Sequence, residues 1–366
     1  MRSTAQWRSC VVVLGLIALV AGGLARAGSL EPPGPPAPTM KTLLEVEPRI
    51  PVQSLPGSSV ALYEITEPGS YYLVDNIVGG PGKTAIAILT SNVVLDLNGY
   101  ALLGTPDSDS GINFLGGLQN CVVMNGIIRG WPLHSIFGVN CQACQVLDVL
   151  SEESGSRTSS IAVWMGFRSL VDGVTVRNHP NGPGVQVESL SAVRSTTVTA
   201  SEIGFVLNGE SCSITESVAT GNAGAGIQVN GSGLVSRCVS NSNVEGVVVS
   251  GDVMVADSVM FSNAVGIRVT GNNNRVDGIL VTTYDTGITI GSGVARNTVQ
   301  HNLIGCGGSG TGISAPESAG DLVVGNTVSG CATAYDVNPA NAVGEILDVA
   351  AGGTVTSGNP YANFRF

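Results

Sequence analysis

Side chains able to do acid–base chemistry or to hold a sugar concentrate between residues 129 and 190. Two of the three histidines, His134 and His179, fall there, with Trp131 and Trp164, the only tryptophans beyond Trp7. Three loop-like stretches run through the region: Arg129-Gly130-Trp131-Pro132-Leu133-His134, Ser151-Glu152-Glu153-Ser154-Gly155-Ser156-Arg157 and Arg177-Asn178-His179-Pro180-Asn181. Two carboxylates such as Glu153 and Glu188 would supply a general acid and base for glycosidic chemistry if they met within ~5–10 Å. His179 and Arg168 complete the catalytic candidates. Trp131, Trp164 and Asn208 are the binding candidates, because an indole covers the apolar face of a sugar while carboxylates and amides bond its hydroxyls. The competing structural reading makes the tryptophans covers for coil edges, and the series Glu188, Asn208, Asn230, Ser250 and Thr270 a solvated face.

The element that must position these groups is a repeat. A tetrad of glycine followed by apolar, any and apolar residues recurs at Gly184-Val185-Gln186-Val187, Gly204-Phe205-Val206-Leu207, Gly226-Ile227-Gln228-Val229, Gly246-Val247-Val248-Val249, Gly266-Ile267-Arg268-Val269 and Gly287-Ile288-Thr289-Ile290. The steps between leading glycines are 20, 22, 20, 20 and 21 residues. A short strand at that interval marks a solenoid whose turns pack on one another. Weaker copies at Ala85, Gly111, Gly138 and Ser160 upstream, and at Gly312 and Ala334 downstream, bring the total to roughly 12 coils. The upstream steps, 26, 27, 22 and 24 residues, are longer and uneven, so extra residues must leave as loops, where function concentrates.

A second apolar burst lies between tetrads, as in Val93-Val94-Leu95-Asp96-Leu97 and Val253-Met254-Val255-Ala256-Asp257. These runs are short, β-branched and bounded by Gly, Asn and Ser, as strands are. A short helical turn is expected only at Met40 to Glu47. A column of polar residues, among them Asp96, Asn125, Asp148, Asp172, Glu216, Arg237, Asp257 and Asp277, reads as corner residues that tolerate left-handed backbone. Asn181, Ser201, Asn243 and Asn263 form a second such column, and His301 reads as a turn residue.

Residues 1–27 read as a signal peptide, with Arg2 and Arg8 before the apolar run Val11 to Leu24 and a cleavage site near Ala27-Gly28. No later stretch is long and apolar enough to span a bilayer. Residues 28–39 hold five of seventeen prolines and read as an extended linker. Residues 40–80 are expected to form an N-terminal cap with entry strands, 81–338 to form the coils, and 339–366 to cap the C-terminal end. The formal net charge is −11, and removal of Arg2, Arg8 and Arg26 makes the mature chain more negative. Only Lys41 and Lys83 supply lysine, which excludes nucleic acid as the partner. Seven of the eight cysteines follow the cleavage site; buried thiols are expected, with Cys306 and Cys331, one coil apart, as the best disulfide pair. No spacing makes a metal motif, and calcium is left as a possibility without a motif behind it.

The chain resembles the right-handed parallel β-helix family, the pectin-lyase-like fold, and within it the secreted bacterial members built from generic β-helix repeats. The repeat carries the resemblance, together with Glu67-Pro68-Gly69-Ser70-Tyr71-Tyr72-Leu73, Asn92-Val93-Val94-Leu95-Asp96-Leu97-Asn98-Gly99-Tyr100 and the closing Gly358-Asn359-Pro360-Tyr361-Ala362-Asn363-Phe364. It implies an all-β solenoid with capped ends. The family's polygalacturonases carry paired aspartates, a Gly-His-Gly and an Arg-x-Lys; its alginate epimerases carry Asp-Pro-His-Asp. Both sets are missing here. The expectation is a secreted, extracellular or periplasmic, monomeric β-helix that binds a polysaccharide or cell-surface glycan without catalysis. The alternative is a polysaccharide lyase, glycoside hydrolase or epimerase with a groove built from residues 129–190.

Overall fold

The computed structural model describes residues 49–352 and 354–366; the signal peptide, the linker and the turn expected at Met40 to Glu47 lie outside them. From Arg49 onward the chain forms one unit in which strand after strand pairs in parallel with the strand one coil away. Three rows result. The tetrads make the first, exemplified by Val163–Phe167 and Ala225–Asn230. The second contains Leu170–Asp172 and Arg275–Asp277, and the third contains Ala101–Leu103 and Val218–Thr220. The fold is a right-handed parallel β-helix of about 13 turns. One three-residue 3-10 turn, Val52–Ser54, is the helical structure among the described residues.

The register of the first row gives the repeat its physical meaning. Tyr63, Ile86, Ile112, Ile136, Val163, Val185 and Phe205 stack in sequence, and the ladder continues through Ile227, Val247, Ile267, Ile288, Ile313 and Tyr335. From Ile86 to Ile313 every member is buried, so each coil adds one aliphatic layer to a core that grows along a line. The leading glycines are required by crowding: a Cβ on Gly204 would sit 2.3 Å from the Gly226 carbonyl oxygen.

Two upstream tetrads are set differently from their expected register. Val163 pairs with Val185 and Ile136 with Val163, so the true copies begin at Ala162 and Ser135, not at Ser160 and Gly138. A shift of two or three residues arises because these coils carry insertions, and stacking of the inward aliphatic residue overrides the glycine signal. The solenoid also starts earlier than expected. The expected entry strands, Ala61–Ile65 and Gly69–Tyr72, pair with Thr84–Ile88 and Val93–Asp96 and form a first coil.

The corners explain the polar columns in part: at Asp172 and Asp277 the next residue, Gly173 or Gly278, makes the left-handed turn, Asp96 is not left-handed, and Ser201, Asn243 and Asn263 each follow the left-handed residue instead of being it. Asn125, Asp148, Glu216, Arg237 and Asp257 take left-handed φ values between 48° and 62°, as does His301 at 54°. Inside the corners run hydrogen-bonded ladders. Ser201 N–H donates to Asn222 Oδ1 (3.0 Å), Asn222 N–H to Asn243 Oδ1 (2.9 Å) and Asn243 N–H to Asn263 Oδ1 (2.9 Å). Asn274, Asn297, Asp321 and Asn341 form a second ladder, and Asn302, Asn326 and Asn363 a third. These amides satisfy backbone N–H groups where strands end and the coil must bend. Cys121, Cys144, Cys212 and Cys238 lie buried at corners too, as small apolar fillers. Cys306 and Cys331 form a disulfide across one coil step, with a Cα separation of 4.7 Å.

Candidate functional site

Of the residues singled out from sequence, three come together. Trp164 lies on the outward face of the first row between Phe137 and Gln186. Its indole N–H donates to Glu188 Oε1 (2.9 Å). The same oxygen accepts Gln186 Nε2 (3.2 Å) and Asn208 Nδ2 (3.4 Å). The network continues along the coils: Asn230 Nδ2 donates to Asn208 Oδ1 (3.0 Å) and Gln228 Nε2 to Asn230 Oδ1 (2.9 Å). Four coils thus carry one polar track.

An aromatic patch adjoins the track. Phe137 meets Trp164 edge-on at 5.5 Å, and His134 stacks on Phe137 at 4.6 Å. Burial pushes the His134 imidazole toward its neutral form, against the Ile161 carbonyl that accepts from or faces Nδ1 at 2.9 Å. The patch places flat apolar surface beside hydrogen-bonding groups at a coil spacing of ~4.8 Å, close to the length of one sugar unit. Sequence reasoning named Trp164, Glu188 and Asn208; it missed Phe137, His134 as a platform member, and Gln186. The slipped tetrad register hid that Phe137, Trp164 and Gln186 share one outward row.

The other candidates are dispersed. Trp131 is fully buried, with its indole N–H on the Leu102 carbonyl (3.0 Å), so it is core and not a sugar platform. Gly79 and Gly104 make the room it occupies: a Cβ on Gly79 would lie 3.1 Å from the indole. His179 is also fully enclosed, which removes it from any substrate. Asn178, at φ 55°, turns the chain so that the next side chain points inward. His179 lies in register with Ser201 and against Gly155, whose Cβ would sit 2.3 Å from the ring. The Ser160 backbone is beside it, yet neither ring nitrogen makes a hydrogen bond of good geometry, and desolvation drives its pKa down to about 4. The inward polar column therefore passes through His179 and not through Asn181.

Glu153 sits at a different corner, at φ 51°, paired with Arg129 (2.9 Å). The guanidinium holds its carboxyl below the usual range. Glu152 pairs with Arg177 at the start of strand Thr175–Val187, whose far end leads into Glu188. Glu153 and Glu188 therefore belong to opposite ends of a coil segment and do not form an acid–base pair. A shallow pocket of about 480 Å³ lies beside Glu153, lined by Ser154, Ser156, Asn178, Pro180 and Ala200. Arg168, at φ 56°, stacks its guanidinium over Phe167 (5.0 Å), and its N–H meets the Ser189 carbonyl one residue past Glu188.

A sequence profile of the family described as "Periplasmic copper-binding protein (NosD)" matches residues 166–365. The chain belongs to the NosD family. A solved structure with a TM-score above 0.5 supports the fold, and two with lower scores are similar to the chain. The tailspike of E. coli bacteriophage HK620, solved with a pentasaccharide, is 14% identical with a TM-score of 0.51, over 81% of this chain and 72% of that one. An exopolygalacturonase from Thermotoga maritima is 12% identical, with a TM-score of 0.45 over 72% and 80%. The Agl-KA catalytic domain is 11% identical, with a TM-score of 0.47 over 82% of this chain; the chain spans 62% of that domain. At such identities the likeness is one of fold. A search of curated proteins finds no match.

The NosD description carries a metal, and the residues of this member do not fit it. Among the described residues, no group of three or more His, Cys, Asp or Glu side chains is placed to hold an ion. The matched segment contains two histidines: His179 is sealed in the core, and His301 Nδ1 donates to Asp277 Oδ1 (3.1 Å). The NosD chain also shows, among the described residues, no helix long and apolar enough to cross a membrane.

Proposed function

We propose that this protein is an exported, periplasmic or secreted β-helix that binds a glycan without cleaving it, along the Trp164–Glu188–Asn208 track. The observation that carries this reading is the convergence of three donors, from Trp164, Gln186 and Asn208, on a single oxygen of Glu188. That arrangement fixes the indole and leaves a preorganised row of amides to meet sugar hydroxyls. Catalysis would need a second carboxylate on the same face. The outward neighbours of Glu188 on the adjoining coils, Trp164, Gln186, Val206, Asn208 and Gln228, supply none, and the next carboxylate along this face, Glu245, is tied to Arg268. The pentasaccharide seen on the HK620 tailspike supports a glycan as ligand. The N-terminal Arg2, Arg8 and following apolar run, with the family's description as periplasmic, support export.

The test is retention on immobilised plant, algal and bacterial polysaccharides, with release of reducing or unsaturated ends followed in parallel. Retention without release is expected; no retention on any polysaccharide removes the reading, and release replaces it with the enzyme. Calcium has no part in it. Melting curves in chelator and in millimolar calcium are expected to coincide, because Asp148 and Asp257 serve as corner residues.

A further inference from the structure

A second pocket, of about 520 Å³, lies where the C-terminal segment folds back over the last coils. Strands Thr298–Gln300, Leu322–Val324 and Ala342–Val343 are neighbours in the second row. The row ends at Ala342–Val343: Val343 stacks on the buried Val323 with no further strand to cover it (37% exposed), and the outward Leu322, beside Ala342, is 39% exposed. The chain returns at Asn359–Tyr361 and forms a wall. Its position is fixed by backbone: Gly325 N–H donates to the Tyr361 carbonyl (3.3 Å), and Gly344 approaches that carbonyl too closely for any Cβ. Tyr361 N–H donates to Asn359 Oδ1 (3.0 Å). The Tyr361 side chain itself is 63% exposed, so core packing does not explain it.

The opposite wall is polar and held still. Asp277 receives Arg275 Nη2 (2.6 Å) and Gln300 Nε2 (3.0 Å) on one oxygen and His301 Nδ1 (3.1 Å) on the other. His301 Nε2 and Gln300 Oε1 are left to accept hydrogen bonds, and Asn359 Nδ2 to donate one. No lysine or arginine lines the pocket, and the Asp277 carboxylate stands behind the imidazole. The charge balance disfavours a uronate or phosphate and suits an uncharged ligand.

We propose that this pocket binds one ring of a neutral glycan, with the ring's apolar face on Tyr361, Leu322 and Val343 and its hydroxyls on Gln300, His301 and Asn359. An aromatic side chain, an apolar floor and a few fixed polar groups in a cavity of this size are what a sugar ring requires. The site shares its ligand class with the Trp164 track and is built from other coils, so either can exist without the other.

The experiment is saturation-transfer NMR and calorimetry on the mature chain with cellohexaose, laminarihexaose and mannohexaose as neutral probes and hexagalacturonate as the anionic one. Wild type, Tyr361→Ala, His301→Ala and Trp164→Ala are compared, with melting temperature as the control on folding. At least one neutral probe is expected to bind and to weaken by about tenfold or more in Tyr361→Ala, a loss typical of an aromatic anchor. Trp164→Ala is expected to retain that binding. The proposal is overturned if no neutral probe binds, if Tyr361→Ala leaves binding unchanged, or if hexagalacturonate is preferred through Tyr361. Loss of all binding in Trp164→Ala alone would leave the track standing and remove the pocket. Loss in Tyr361→Ala alone would support the pocket and leave the track to its own retention test.

Discussion

The indole N–H of Trp164 reaches across one coil step to Glu188 Oε1 at 2.9 Å, and this bond sets the angle at which the ring meets solvent. Trp164→Ala is expected to weaken polysaccharide retention about tenfold or more. Trp164→Phe keeps a ring and loses the bond, so a loss smaller than that of Trp164→Ala is expected. Affinity electrophoresis of the two variants beside wild type checks both; equal retention in all three would sink the track.

Acid should destabilise the protein through His179. Its native pKa, pushed down to about 4 by burial, lies below the ordinary value of 6.5. Between those values the unfolded chain binds the proton that the native chain refuses. The stability due to the neutral imidazole is therefore complete above about pH 6.5 and is lost as pH falls toward 4, by up to about 3 kcal/mol. His134, shifted the same way by burial, adds to the slope. The melting temperature is expected to drop from pH 7 to pH 4.5, and His179→Asn to flatten the profile.

Asn243 is the side chain whose loss should cost most for its size. Its Oδ1 accepts both the N–H and the Nδ2 of Asn222, and its own Nδ2 reaches the Ala219 carbonyl, Ser240 and Asn263. Asn243→Ala strands these buried groups and is expected to destabilise by roughly 2–4 kcal/mol, at 1–3 kcal/mol for each orphaned polar group. Asn230→Ala, on the solvent side, should stay within about 0.5 kcal/mol. Urea unfolding of the pair makes the comparison.

The cysteines should divide in two. Five, Cys121, Cys141, Cys144, Cys212 and Cys238, are buried thiols, and Cys306–Cys331 is bonded. Alkylation is expected to be negligible in the native protein and to reach five thiols when it is unfolded without reductant. Removing the bridge by Cys331→Ser should lower stability by about 2–4 kcal/mol. A count of seven would dismiss the bridge, and a count of three would reveal a second.

The repeat was legible because coil stacking forces the same crowding at every turn, and Gly204 or Gly226 leaves that mark in sequence. The corner column was legible for the same reason, since Asn125, Asp148 and Asp257 share one backbone requirement. What escaped lies where the period breaks. The insertion ending at Ser160 shifted the apparent register and hid the alignment of Phe137, Trp164 and Gln186. Trp131 and His179 looked available because they sit in loop-like stretches, yet one turn residue before each, Gly130 at φ 73° and Asn178 at φ 55°, directs the chain inward. The pocket around Tyr361 joins residues about 60 apart in sequence, and no local pattern announces a wall built by a returning segment.

The backbone N–H bonds of the internal asparagine ladders all point one way. Each donates from a coil to the acceptor one coil later, as Asn302 does to Asn326 and Asn326 to Asn363. A growing end therefore presents unfilled donors, and each folded coil is a template for its successor. The third ladder ends at Asn363, whose Nδ2 donates back to the Val323 carbonyl, as Asn326 Nδ2 does to Val299, and also to Gly344. A chain cut short before that residue would keep asking for another coil, and the nearest supplier would be a second molecule.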